Sequence, residues 1–228
     1  MLAIVPARGG SKGIRNKNIV EIEGKPLIQY TLDEAKASKY IDRIYISTDS
    51  QEIAETCEKL GFIVSQLRPP NLATDYTKII EVIMYILKQL NKLNEYYDYI
   101  VLLQPTQPLR KSKQIDEAIE LIYEKKAESL VSLSPVIDHP ILIRRVGQNN
   151  QVFPLLSGGS TVRRQDFPLY YIVNGAIYIN SVSNLTIDTS LNDNQIGYLM
   201  DRSYHLDIDE HSDLETLKRM LKQKNKGI

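Results

Sequence analysis

The stretch LAIVPARGGSKGIRNKN, residues 2–18, decides how the rest of the chain is read. Leu2 to Val5 is an unbroken apolar run, the mark of a strand buried on both faces, and Pro6 stops it. The loop that follows carries three glycines, Gly9, Gly10 and Gly13, and four cations, Arg8, Lys12, Arg15 and Lys17. Glycine lets backbone N–H groups turn toward a ligand, and Arg and Lys add full positive charge. The natural guest is a polyphosphate; the plainer alternative is a solvated basic turn. No Gly-Lys-Ser/Thr closes the loop as in a P-loop, and the dinucleotide fingerprint Gly-x-Gly-x-x-Gly is absent.

Working outward, Gly24-Lys25-Pro26 opens a helix whose Leu27, Ile28, Leu32 and Ala35 share one face. Arg43 to Ser47 reads as the next strand. Thr48-Asp49-Ser50 caps a helix with Ile53, Cys57 and Leu60 on its apolar side, ended by Gly61. A third strand is expected over Phe62 to Gln66, followed by the rigid turn Arg68-Pro69-Pro70. Thr77 to Leu93 has the apolar stripe of a long amphipathic helix, and Tyr99 to Leu103 is another buried strand. Ser112 is expected to cap the next helix, and Leu130 to Leu133 adds a strand. The rhythm breaks from Val136 to Leu169, which reads as an excursion from the sheet. It returns at Tyr170 to Asn180 and ends in a helix from Ser212, with Glu215 completing a capping box. Strands alternating with helices indicate an α/β, Rossmann-like fold: a mainly parallel sheet covered by helices on both faces. One domain over residues 1–228 is expected, with the excursion at about 136–169.

With 228 residues and 43% hydrophobic content the chain can bury a substantial core. Its formal net charge is zero, so no global field draws nucleic acid or membrane; positive charge is local to the first loop and suits a small anion. The single cysteine, Cys57, excludes an internal disulfide and reads as core. No apolar run approaches a membrane span, and the run before Arg8 is too brief for a signal peptide, so a cytoplasmic protein is expected.

In an open parallel sheet, ligands sit outside the carboxyl ends of the strands. The loops from Arg8 to Asn18, at Thr48-Asp49, at Arg68-Pro69 and from Gln104 to Arg110 all follow strands, so they gather along one rim. A second constellation is Leu206-Asp207-Ile208-Asp209-Glu210. Alternation sends Asp207 and Asp209 to the same side of an extended chain and leaves Ile208 to the core. Adjacent carboxylates repel unless a cation neutralises them, and Mg²⁺ (or Mn²⁺) with a triphosphate would do so. By itself the cluster also suits a helix N-terminus. His205 and His211 flank it and read as surface or capping residues.

Together these strings resemble the acylneuraminate cytidylyltransferases. Their first loop reads Ala-Arg-x-x-Ser-Lys-Gly and ends in Lys-Asn, as here at Ala7 to Gly13 and Lys17-Asn18. Ser47-Thr48-Asp49, Leu103-Gln104-Pro105-Thr106, Pro108-Leu109-Arg110, Asn174-Gly175-Ala176-Ile177-Tyr178 and the closing Asp-x-Asp follow in the family's order, over essentially the whole chain. The resemblance implies transfer of CMP from CTP to a nine-carbon 2-keto sugar acid, a nonulosonic acid, with release of pyrophosphate. In that chemistry Arg8 and Lys17 would stabilise developing phosphate charge, and Asp207 and Asp209 would hold the metal. Ala7, Gly9, Gly10, Ser11 and Asn18 would cradle the nucleotide. Arg68 resembles the base-reading arginine, although a structural ion pair is an alternative. Asp75 and Thr77 fall where the family has further nucleoside contacts, and Gln104 and Asn174 would face the sugar.

Departures lie on the sugar side. Relatives that use sialic acid often place Lys two residues after His-Pro and Arg two before Asn-Gly; here those positions are Leu142 and Ile172. Arg144, Arg145, Arg163 or Arg164 would have to supply that charge. By resemblance the excursion is expected to form a homodimer, with Arg164 reaching the phosphate or sugar carboxylate in the neighbouring subunit. The alternatives are a cytidylyltransferase for the eight-carbon acid Kdo and a nucleotide-binding regulator without catalysis.

Overall fold

Leu2 and Ile4 leave the first strand, β1 (Leu2–Pro6), toward one face of the sheet, and Ala3 and Val5 leave it toward the other. All four are fully buried, so this strand lies at the centre of a covered sheet. The structure is a computed structural model and describes residues 1–10, 13–157, 161 and 163–225, the side chains of 164, 224 and 225 excepted.

A minimal hairpin, β2 (Glu21–Ile22) and β3 (Lys25–Pro26), leads into α1 (Leu27–Ala37), β4 (Arg43–Ser47) and α2 (Gln51–Lys59). After α3 (Ile79–Lys92) come β5 (Tyr99–Leu102), α4 (Ser112–Lys125) and β6 (Ser129–Pro135). A second hairpin, β7 (Arg144–Val146) and β8 (Val152–Pro154), precedes β9 (Tyr171–Ser181), β10 (Ile196–Leu199) and α5 (His211–Asn225). The main sheet has the order β10-β6-β9-β5-β1-β4. β9 runs antiparallel to both neighbours, and every other pairing is parallel. The mainly parallel α/β expectation therefore holds.

Three apolar cores follow from this layering. α1, α2 and α4 pack Ile28, Leu32, Ile53, Cys57 and Ile119 on one face of the sheet. α3 covers the other face with Ile80, Ile83, Ile86 and Leu90. A third, smaller core joins Ile14 and Leu27 to Leu109, Ile208, Leu214 and Leu217. This third core ties the first loop to the Asp207–Asp209 segment and to α5.

Several local expectations need correction. Phe62 to Gln66 joins no ladder. The Phe62 N–H bonds the Cys57 carbonyl (3.0 Å) and finishes α2, while Ile63 is 81% exposed, so the segment's apolar residues do not build a sheet face. Side chains link the segment to β4 instead, with Gln66 donating to the Tyr45 hydroxyl at 3.3 Å. Ser112 is the first residue of α4 rather than its cap; its N–H donates to Glu34 at 2.7 Å. At α5 the capping carboxylate is Asp213, which accepts from the Asp209 (2.9 Å) and Glu210 (2.8 Å) N–H groups, whereas Glu215 pairs with Lys218. In the excursion, the β7–β8 hairpin exposes Val146, Val152 and Leu155.

Candidate active site

At the carboxyl ends of β1, β4 and β5 lies a cavity of about 620 Å³. Arg8, Lys17 and Asn18 line it from the first loop, and Arg68, Asp75 and Thr77 from the segment before α3. Gln104, Asp209 and Ile79 are also in the wall. Elements far apart in the chain thus converge where a parallel sheet offers its crevice.

Two of the cationic groups in this cavity, Arg8 and Lys17, already face carboxylates of the same chain. Arg8 donates to Asp75 at 2.7 Å, and the Lys17 ammonium bonds Asp209 at 3.0 Å and the Ile208 carbonyl at 2.6 Å. The Gly9 N–H donates to Asp49 at 3.0 Å, so in this state it does not point at the cavity's centre. The Asn18 amide holds the Arg8 carbonyl at 3.0 Å and fixes the loop's return. Charge balance here is internal, and an incoming polyphosphate has to exchange these partners for its own oxygens.

The loop and the acidic segment are in backbone contact. Ile208 is fully buried in the third core, and its N–H donates to the Thr106 carbonyl at 2.9 Å. That anchor places Asp207 and Asp209 on either side of it. Desolvation raises the Asp207 carboxyl above the usual carboxylate value, Asp209 and Asp213 add to the rise, and Thr106 and Lys17 oppose it. More than a third of the residue still meets solvent, which tempers the shift. Asp209 lines the cavity and Asp207 does not; a hard cation held between them would take its other ligands from water and phosphate. Among the described residues no set of three or more His, Cys, Asp or Glu side chains forms a metal cage by itself.

Arg68 is buried, with Nε on the Ser47 hydroxyl (3.0 Å) and a terminal nitrogen on the Ser47 carbonyl (2.7 Å). Burial lowers its pKa, opposed by Asp49. Its anchor is therefore Ser47 rather than an ion pair, and the guanidinium also lines the cavity. Thr77 bonds the Thr74 hydroxyl at 2.8 Å and braces the loop that carries Asp75.

Asn174 does not line the cavity. The opposing register slips between Val131 and Leu133, and β9 bulges there. Asn174 fills the bulge: its oxygen accepts from Ser132 (2.5 Å) and the Ala176 N–H (3.0 Å), and its amide donates to Ser134 (2.9 Å). Gly175 sits there at φ +74°, a conformation side chains disfavour. The bulge turns the Ala176 carbonyl to Arg110, a fully buried guanidinium that donates to it at 2.7 Å and to Thr31 at 2.8 Å. Arg110 also reaches the Gln104 carbonyl at 3.4 Å. Desolvation pushes its pKa down to about 9, so it keeps its charge at neutral pH. The Asn-Gly-Ala and Pro-Leu-Arg strings thus form a latch that positions Gln104.

Ala7 is buried, and its N–H donates to the Ser47 carbonyl at 2.9 Å, away from the cavity. Gly10 is exposed, and beyond its chain neighbours no described atom lies within 4 Å of where a Cβ would stand. Ser11 lies outside the described residues. Arg164 begins a 3-10 turn, Arg164–Asp166, and its side chain lies outside them too. Among the described residues, none from 136–169 lines the cavity within one chain. His205 contacts Arg202, and burial with that charge lowers its pKa. Sequence reasoning missed the Arg110 latch and the Asp75–Arg8 pair.

The family model for cytidylyltransferases matches residues 2–226. The chain belongs to the cytidylyltransferase family. It is 36% identical over 216 residues to an N-acylneuraminate cytidylyltransferase of Streptococcus agalactiae, covering 93% of this chain and 51% of that protein. The chain thus spans about half the length of these relatives. It is also 36% identical over 186 residues to a CMP-N,N'-diacetyllegionaminic acid synthase of Legionella pneumophila, covering 81% of this chain and 79% of that protein. Among solved structures, CMP:2-keto-3-deoxy-manno-octonic acid synthetase complexed with CTP superposes with a TM-score of 0.73 at 14% identity, covering 98% of each chain. At that identity the likeness shows the fold alone. Among the described residues no helix is long and apolar enough to cross a membrane.

Proposed function

We propose that the chain transfers CMP from CTP to the anomeric hydroxyl of a nine-carbon 2-keto sugar acid and releases pyrophosphate. The observation that carries this reading is the convergence of Arg8, Lys17 and Asp209 on one cavity at the strand ends, in a chain whose 36%-identical relatives bear names of nine-carbon acid synthesis. The eight-carbon alternative draws only on a likeness of fold.

In the reaction the sugar oxygen attacks the α-phosphorus, and the bond to the oxygen bridging α- and β-phosphorus breaks. Arg8 and Lys17 exchange Asp75 and Asp209 for phosphate oxygens and neutralise the leaving pyrophosphate. Arg68, held by Ser47, orients its remaining donors toward the base. Gln104, positioned by Arg110, faces the acceptor. A divalent cation held by Asp207, Asp209 and the triphosphate, Mg²⁺ or Mn²⁺, would neutralise phosphate charge and acidify the attacking hydroxyl. No side chain is assigned as general base.

The finer reading includes a homodimer in a cytoplasmic setting. Exposed Ile137, Leu142, Val146, Val152 and Leu155 give the excursion an apolar surface suited to a two-fold interface, across which Arg164 would approach the neighbour's phosphates. Sedimentation at working concentration checks the dimer. The function is tested by pyrophosphate release from CTP with N-acetylneuraminic and legionaminic acids. Activity should require a divalent cation, vanish in chelator and fall by orders of magnitude in Asp209→Asn. No release with any nine-carbon acid overturns the reading.

A further inference from the structure

A second cavity, about 400 Å³, adjoins the first and shares Ile79 and Gln104 with it. Its remaining wall includes Tyr178 and the polar run Asp188, Thr189, Ser190 and Asn192. Among its lining residues Lys78 is the one cation and Asp188 the one anion. Lys78 is exposed, immediately precedes Ile79, and has no ion-pair partner among the described residues.

The inference rests on the proposed reaction. In the ring form of a 2-keto sugar acid, the carboxylate and the attacking hydroxyl are bonded to the same carbon. The hydroxyl has to reach the α-phosphate in the first cavity while the sugar body occupies the second. The carboxylate is therefore confined to the junction, within a few bond lengths of the reacting oxygen, and the junction is where Ile79 and Gln104 stand. A cation serving it must have its side chain within reach of those two residues, and Lys78 lines the second cavity as the chain neighbour of Ile79.

We infer that Lys78 binds the acceptor's carboxylate and so makes this chain select sugar acids over neutral sugars. Its ammonium forms a charge-assisted hydrogen bond at the junction, while Asp188 repels the carboxylate from the polar wall and leaves that wall for the sugar's hydroxyl and acylamino groups.

The test compares wild type, Lys78→Met and Lys78→Arg in steady-state CMP transfer, with a sugar acid and its carboxamide analogue as acceptors. For Lys78→Met the KM for the acid should rise about ten- to a hundredfold, with KM for CTP and Tm unchanged. Lys78→Arg should restore most of the loss. With the carboxamide, wild type and Lys78→Met should be alike. An unchanged KM for the acid, or equal losses with acid and carboxamide, overturns the assignment. Absence of CMP transfer in wild type refutes the reaction instead; calorimetric titration of the acid into each CTP-loaded chain then decides Lys78 separately, equal affinities counting against it.

Discussion

The carbonyl oxygen of Asp209 packs against Gly13 so closely that a Cβ there would lie 2.4 Å from it. This contact joins the first loop to the acidic segment through backbone alone, so no flexible side chain is there to yield and relieve it. Gly13→Ala should therefore shift Asp209 and Lys17 together. Turnover should fall roughly 10- to 100-fold, with CD spectra and sheet packing retained. Wild-type turnover in the variant would show that this contact does not set the site.

Asp207 links the site to stability. Its folded pKa is raised above the ordinary 3.8, chiefly by desolvation. The folded chain then holds the proton more tightly than the unfolded chain, so stability falls as pH rises from the ordinary value through the folded one, and the full penalty applies above it. Asp207→Asn should raise Tm at pH 7, and the gain should fade as pH drops below about 4, where the aspartate is protonated in both states. Turnover should collapse in the same variant. A lower Tm at pH 7 would contradict the desolvation account.

Arg110 gives a different signature. Replacement by Met leaves the Ala176 carbonyl and Thr31 hydroxyl without their donor and frees the loop bearing Gln104. The cost should be roughly 2–4 kcal/mol of unfolding free energy, with a raised KM for the sugar acid in whatever folded protein remains. Denaturant titration measures the first effect and kinetics the second. Unchanged stability would remove Arg110 from its positioning role.

The strands and helices that cover both faces were legible because burial writes itself as apolar runs and helical stripes. β1, β4 and α3 follow that rule closely, as Leu2, Ile46 and Ile83 show. Phe62 to Gln66 has strand-like composition and its side chains reach the edge strand β4, but composition cannot say whether its backbone pairs there. β10 escaped notice because Ile196–Leu199 is four residues long at an edge. The first loop and the acidic segment were readable from charge and spacing. Asn174 was not, because a bulge reverses where a side chain points, and a motif carries no record of it. Arg110 gave no signal of its own: a fully buried arginine reads like any other in sequence.

Cys57 is fully buried under α2, and burial pushes its thiol up to about 11. At pH 8 the thiolate is scarce and screened, so iodoacetamide should leave the native chain unlabelled and modify it only on unfolding. Rapid labelling under native conditions would place Cys57 outside the core.

The most direct measurement offers the chain CTP, Mg²⁺ and an equimolar mixture of Kdo, N-acetylneuraminic acid and legionaminic acid, with products identified by mass spectrometry. The expected result is a CMP-linked nine-carbon acid formed in step with pyrophosphate. CMP-Kdo as the dominant product, or pyrophosphate without any CMP-sugar, would contradict the account.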